Sequence, residues 1–144
     1  MTQRLLTLCL GAIFTTFLLA SAAEKEKSKV QIDVSKLPPP SSKKDVSYAN
    51  DIKAIFDKSC VKCHGLEKPK AKLQLNSLEG VLKGGEDGKV VESGNSAGSI
   101  LVQNIAHLGD PDDFMPPPHN RAGIGPLTSD QIGLIRAWID QGAK

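Results

Sequence analysis

The chain has 144 residues, enough for one domain or for one small domain with appendages. Its 18 Lys and Arg residues nearly balance 16 Asp and Glu residues, so it lacks the basic excess typical of nucleic-acid-binding proteins, and we expect no nucleic-acid partner. Aromatic residues are scarce, with four Phe, one Tyr and one Trp, which leaves little aromatic surface for a hydrophobic core.

Residues 1–23 have the organisation of a Sec-type secretory signal peptide. One cation, Arg4, precedes an apolar run over residues 5–19, and small residues follow it. The Ala-Ser-Ala triplet after this run fits a cleavage site, so we expect a periplasmic mature chain that begins at Ala23 or Glu24. The alternative is an uncleaved membrane anchor that leaves the protein facing the periplasm, although the run is short for a spanning helix.

Residues 24–45 are predicted to form a disordered tether. They are rich in charge, Ser and Pro, and their few apolar residues show no sustained period. The consecutive prolines at residues 38–40 predict a short extended stretch. The compact domain is therefore expected to span residues 46–144.

The compact domain is predicted to be mainly helical. Ser47 is placed to cap a first helix whose apolar residues share one face and which ends near Lys58. A short helix is predicted over residues 77–83, and another amphipathic helix begins at Ile100. The stretch between these two helices is rich in glycine and is predicted to be a loop.

The last helix carries the clearest local signals. Thr128 and Gln131 form a capping box, an apolar stripe follows at helical spacing, and Gly142 supplies the C-terminal stop. The segment before it, residues 109–126, is rich in helix-breaking residues. These elements predict an all-α fold, a small helical domain whose long loops need something to pack against.

Two cysteines remain after export, because Cys9 lies inside the signal peptide whereas Cys60 and Cys63 do not. With His64 they form C-x-x-C-H, the signature of covalent haem attachment. Two thiols three residues apart on a helical turn face the same way, so each can add to one porphyrin vinyl group. His64 then stands where its imidazole can bind the iron from the proximal side.

Two other kinds of site also use closely spaced cysteines. A dithiol–disulfide active site carries C-x-x-C, but it normally follows a strand in a βαβ unit, and here the pair follows a predicted helix. A zinc site would recruit His107 or His119, whose positions do not match the usual ligand spacing. Neither alternative uses both the export signal and His64, so the sequence favours one covalently bound haem c.

The second axial position of the iron has few candidate ligands. Met1 leaves with the signal peptide, so Met115 is the only methionine of the mature chain. Three prolines follow Met115 and stiffen its loop, which suits a weak thioether ligand better than core packing. Met115 is therefore the predicted distal ligand, and His107 and His119 stay open as imidazole alternatives.

These motifs resemble a class I c-type cytochrome and, more closely, the planctomycete-type cytochrome c domain, over essentially all of residues 46–144. The matching segments are residues 48–64, 72–75, 83–85, 99–101, 115–117 and 127–142. The resemblance implies a haem packed between an N-terminal and a C-terminal helix, with His and Met axial ligands. Such domains often occur inside much larger chains, so the redox partners of other family members cannot be assigned to this protein.

We therefore expect an exported mono-haem cytochrome c that transfers single electrons between a redox donor and an acceptor, and not an enzyme. Lysines surround the attachment motif at residues 58, 62, 68, 70 and 72, and they indicate either an ordinary solvated surface or a docking face for an acidic partner. An open iron site would instead indicate a haem peroxidase or a small-ligand sensor. A third alternative is a haem-stabilised docking module of a larger complex.

Overall fold

The computed structural model describes residues 32–144, which are helical and contain no strand, only an isolated bridge between Gly85 and Gly88. The helices are α1 (Lys53–Ser59), α2 (Val61–His64), α3 (Leu78–Lys83), α4 (Ile100–Ile105) and α5 (Ser129–Asp140). A π-helical turn, Tyr48–Ile52, runs directly into α1, and 3-10 turns lie at Val34–Lys36, Lys70–Lys72 and Pro111–Asp113. The predicted all-α class is confirmed, and the predicted signal peptide lies outside the described residues. None of the described helices is long and apolar enough to cross a membrane.

Local side chains fix the ends of the helices by satisfying backbone groups that have no partner within the helix. Ser47 accepts a hydrogen bond from the Asn50 amide at 3.3 Å, so the first helical segment begins where the sequence predicts. The Thr128 hydroxyl accepts from the Gln131 amide at 3.2 Å, and the Gln131 side chain accepts from the Thr128 amide at 2.9 Å, which confirms the capping box. Helix α3 ends at Gly84, whose φ of 85° is readily adopted by glycine.

Three buried aromatic side chains form the centre of the core. Ring centroids of Tyr48 and Phe56 are 6.1 Å apart, and the Trp138 ring lies 6.0 Å from Tyr48 and 6.5 Å from Phe56, in tilted and edge-on arrangements. The Lys144 carbonyl accepts the Trp138 indole N–H at 2.9 Å and the Tyr48 amide at 2.8 Å. The first helical segment and α5 are therefore joined both by packing and by hydrogen bonds.

The glycine-rich loop between α3 and α4 is held against α5. The Ser96 side chain is buried, and its hydroxyl lies 3.0 Å from one Asp140 carboxylate oxygen while its amide donates to the other at 2.8 Å. The Arg136 side chain donates to the same Ser96 hydroxyl at 3.1 Å. The predicted loop is confirmed, and side chains from the last helix fix its course.

The segment before the first helix differs from the predicted disordered tether. Residues 37–43, the N-terminal strap, lie along α5: Leu37 is 7% exposed, and the Ser41 amide donates to the Gly133 carbonyl at 2.9 Å. Arg136 donates to a carbonyl of the proline run. The tether prediction is wrong for this strap, because an apolar side chain and a preset proline backbone find a complementary surface on α5. Residues 24–31 lie outside the described part of the chain.

Candidate haem site

The motif residues Cys60, Cys63 and His64 lie on one helical turn. The Cys60 amide donates to the Phe56 carbonyl at 2.8 Å, so the turn continues directly from α1. The Cys60 carbonyl then accepts from the amides of Cys63 and His64 at 3.0 Å and 2.9 Å. Both thiols are free and half-buried, and their spacing on the turn gives them a common side of the chain.

Backbone hydrogen bonds connect this attachment turn to the core. The His64 carbonyl accepts from the Leu75 amide at 2.8 Å, and the Leu75 carbonyl accepts from the Tyr48 hydroxyl at 2.9 Å. The Tyr48 hydroxyl is buried, and burial raises the pKa of Tyr48 to about 12, with smaller contributions from Asp57 and Cys60. Leu75 therefore links the backbone of His64 to Tyr48 in the aromatic core.

Burial sets the protonation states of the attachment turn. It raises the pKa of Cys60 to about 12, to which the neighbouring Cys63 adds, so Cys60 carries its proton at neutral pH. Burial also lowers the pKa of His64, against an opposing effect of backbone groups at Leu73 and Lys70. A neutral imidazole is the form that binds a metal, and the Nδ1 atom of His64 is buried with no hydrogen-bond partner among residues 32–144.

A pocket of about 550 Å³ lies next to the attachment turn. Cys63, Lys62 and Lys70 line it from one stretch of the chain, and residues 117–122 line it from another. Its volume falls within the range of about 300–1,000 Å³ found for cofactor and ligand sites. Of the three motif residues only Cys63 lines this pocket. The paired free thiols and the adjacent imidazole, whose Nδ1 atom has no hydrogen-bond partner among residues 32–144, are the donor set that covalent haem attachment uses, so these residues fit that group.

Met115 lies two residues before Pro117, the first residue of the loop that lines the pocket, but Met115 itself does not line the pocket. It is half-buried and packs against the hydrophobic core, and its amide donates to the Asn104 carbonyl at 3.0 Å. This hydrogen bond ties the loop to the end of α4, and Pro117, two residues further on, does line the pocket. Ligation of the iron by Met115 stays a prediction.

The two alternative histidine ligands have different surroundings. His119 is exposed and lines the same pocket as Cys63. His107 stacks on Phe114, with ring centroids 4.7 Å apart and ring planes inclined by 4°, and its Nε2 atom is buried without a hydrogen-bond partner in the described part of the chain. Within residues 32–144, no three His, Cys, Asp or Glu side chains come together as a metal site would require.

Two residues of the pocket wall were not recognised from the sequence, Asn120 and Arg121. The Asn120 carboxamide donates to the carbonyls of Pro117 and Ile124 at 2.9 Å and 2.7 Å and accepts from the Ile124 amide at 3.1 Å. Arg121 follows it and is exposed at the pocket. The sequence shows an Asn among Pro and Gly residues, a pattern typical of a turn. This pattern does not predict the position of the side chain that follows the Asn.

Comparisons with known proteins agree with this site. The family model described as Planctomycete cytochrome C matches residues 60–119, a span that includes the attachment turn and Met115. The matched segment is therefore similar to a haem-binding cytochrome c domain. Within that class, the match confirms the resemblance to the planctomycete-type cytochrome c domain. No curated protein and no solved structure matches the chain.

Proposed function

We propose that the protein is an exported mono-haem cytochrome c that carries single electrons, with the haem joined to Cys60 and Cys63 and its iron held by His64 and Met115. The observation that carries the proposal is the pocket beside the attachment turn, lined by Cys63 and by the loop that follows Met115. The family match over residues 60–119 supports the haem-binding part. Haem, when bound, supplies an iron that alternates between the ferric and ferrous states.

The attachment residues have the chemistry that the proposal needs. Each thiol adds across one vinyl double bond: its sulfur bonds to one vinyl carbon, its hydrogen goes to the other, and no external oxidant is consumed. The raised pKa of Cys60 keeps that hydrogen on the sulfur at neutral pH. The lowered pKa of His64 keeps its imidazole free to coordinate the iron.

The proposed role of Met115 separates an electron carrier from an enzyme. An iron with both axial positions filled exchanges electrons without binding a substrate, whereas an open position permits peroxide or small-ligand chemistry. The hydrogen bond to Asn104 and the three following prolines restrict the loop before any ligand binds. A restricted loop loses little entropy when a weak thioether ligand engages the iron.

The proposed location and partners follow from the export signal and the lysines. The signal-peptide pattern over residues 1–23 supports a periplasmic protein, with the uncleaved anchor as the alternative. The five lysines around the attachment turn are exposed, and of these five only Lys72 forms an ion pair with a described residue, Glu86 at 3.7 Å. We therefore propose an electron donor and an acceptor with acidic docking faces.

The test compares the wild-type holoprotein, made with haem-maturation machinery, with Met115→Ala and Met115→His. The oxidised wild type should show the weak near-infrared sulfur-to-iron band and bind cyanide slowly. Met115→Ala should lose the band, bind cyanide at once, gain peroxidase turnover and have a lower reduction potential, because a Met ligand favours the reduced state. Met115→His should stay six-coordinate while also lowering the potential.

The control variants are His107→Ala and His119→Ala, which remove the two alternative imidazole ligands. Both should keep the sulfur-to-iron band. If the unmodified protein binds cyanide or carbon monoxide at once and turns over peroxide well, the carrier proposal fails and the peroxidase or sensor function replaces it. If His107→Ala or His119→Ala opens the iron while Met115→Ala does not, the assignment of the distal ligand is wrong.

A further inference from the structure

The stretch of chain between α4 and Met115 is tied to the domain at its two ends. At its start, the amides of residues 106–108 donate to carbonyls of α4. At its other end, the Met115 amide donates to the Asn104 carbonyl at 3.0 Å, and the Phe114 ring stacks on His107. The position of Met115 therefore depends on what holds the residues between these ends.

Residues 109–114, the distal loop, form hydrogen bonds only with one another within the described part of the chain. The Asp113 amide donates to the Asp110 carbonyl at 3.0 Å, and the Phe114 amide donates to the Pro111 carbonyl at 3.3 Å. A segment held together by internal bonds can open as a unit. Any further contact between the distal loop and the rest of the domain therefore affects how often it opens.

One side chain from a distant part of the chain covers the first residue of the distal loop, Gly109. The φ of Gly109 is 96°, and a Cβ atom at this position would lie 3.3 Å from the Ile32 Cδ1 atom and 3.4 Å from its Cγ1 atom. Apart from the neighbours of Gly109 in the chain, no other described residue has an atom within 4 Å of that position. Ile32 is itself half-buried, so it forms an apolar cover over Gly109.

Ile32 is connected to α5 through the N-terminal strap. The Ile32 carbonyl accepts from the Val34 amide at 3.1 Å, and the Val34 carbonyl accepts from the Leu37 amide at 3.2 Å. Leu37 is buried in the core, and further along the strap the Ser41 amide donates to the Gly133 carbonyl of α5. These contacts join the distal loop to the last helix through a residue that lies outside the span of the family match.

We propose that Ile32 is a positioning residue for Met115: together with the strap, it holds the distal loop against the domain and slows the departure of the Met115 sulfur from the iron. The effect on the sulfur rests on the proposed ligation by Met115, whereas the restraint on the loop does not. A weak thioether ligand leaves the iron when its loop opens, and an external ligand then enters. A contact that raises the free energy of opening therefore slows the entry of that ligand.

The test is amide hydrogen exchange in the full-length oxidised holoprotein, followed by mass spectrometry for residues 106–115 and, as a reference, for α1. Ile32→Ala should speed exchange in residues 106–115 about tenfold, equivalent to about 1.4 kcal/mol of opening free energy, and leave α1 unchanged. Ile32→Val removes only the Cδ1 methyl group and should give a smaller increase. Cyanide binding should become faster in the same order, with the sulfur-to-iron band retained.

The matched control is Val34→Ala, which truncates a side chain of the same segment that is 47% exposed, and it should match the wild type in both measurements. Unchanged exchange of residues 106–115 in both Ile32 variants overturns the proposal. Equal acceleration in α1 also overturns it, because Ile32 would then act only on global stability. Faster loop exchange with unchanged cyanide binding overturns the positioning of Met115.

Failure of the proposed function gives a different result from failure of this inference. A wild type without the sulfur-to-iron band refutes ligation by Met115, whatever Ile32 does. Exchange in Ile32→Ala then tests the restraint alone: acceleration confined to residues 106–115 supports it, and exchange equal to that of the wild type overturns it.

Discussion

Gly65, directly after the attachment turn, shows how closely the chain approaches itself beside His64. It is buried, and a Cβ atom at this position would lie 2.6 Å from the Val61 carbonyl oxygen and 3.3 Å from a Val61 methyl carbon. The first contact is with backbone, so it cannot be relieved by rotating a side chain. Any residue can adopt its φ of −92°. Glycine is therefore required at this position because there is no room for a side chain.

Gly65→Ala is predicted to destabilise the holoprotein by about 1–3 kcal/mol, the usual cost of forcing an extra methyl group into a packed site. The midpoint of urea unfolding, followed by far-ultraviolet circular dichroism, measures this change. Gly125→Ala is the control, because a Cβ there meets nothing within 4 Å and its φ is not positive. Equal midpoints for the two variants would show that the turn adjusts at no cost.

At the scale of elements, the N-terminal strap and α5 form a single packed unit. Two features of α5 suit the strap: Arg136 donates to a strap carbonyl, and Gly133 leaves room for the strap backbone. A Cβ atom at Gly133 would lie 2.7 Å from the Pro39 carbonyl oxygen, so a larger residue would push the strap away. Because α5 also contributes Trp138 to the aromatic core, the strap supports the helix that closes the domain.

Leu37→Ala is predicted to lower the free energy of unfolding by about 2 kcal/mol, at the low end for a Leu truncation because Leu37 lies at the edge of the core. Denaturant titration of the holoprotein gives this value. Val34→Ala provides the control: Val34 is 47% exposed, and its truncation should change stability by less than about 0.5 kcal/mol. A Leu37→Ala protein as stable as Val34→Ala would mean that the strap does not contribute to the fold in solution.

At the scale of the molecule, the features predicted from the sequence are those fixed by residues close together in the chain. Caps at Ser47 and Thr128 act within a few residues, and the structure has both of them. The same holds for the attachment turn, whose geometry follows from the spacing of its cysteines. Sequence patterns alone therefore indicated both the helices and the centre of the candidate site.

The features that escaped prediction depend on contacts between distant parts of the chain. Composition favoured disorder for the strap, since the burial of Leu37 becomes visible only once α5 provides a surface for it. The position of Arg121 at the pocket depends in the same way on how its loop folds towards Cys63. Local propensity contains no information about either contact, because each is set by tertiary packing.

The last prediction concerns the dependence of the whole fold on haem. Helices α2, α3 and α4 have only 4, 6 and 6 residues, and isolated helices shorter than about 12–15 residues are marginal in water. The long loops around α4 have little regular structure, so a large apolar group at the pocket would supply much of their support. We expect the reduced apoprotein, made without haem-maturation machinery, to lose helical circular dichroism and to melt without a sharp transition, with residual helix mainly in the 12-residue α5. The holoprotein in the same buffer should melt cooperatively, and an apoprotein with equal helix content and an equally sharp melt at a similar temperature would show that the described core folds without the cofactor.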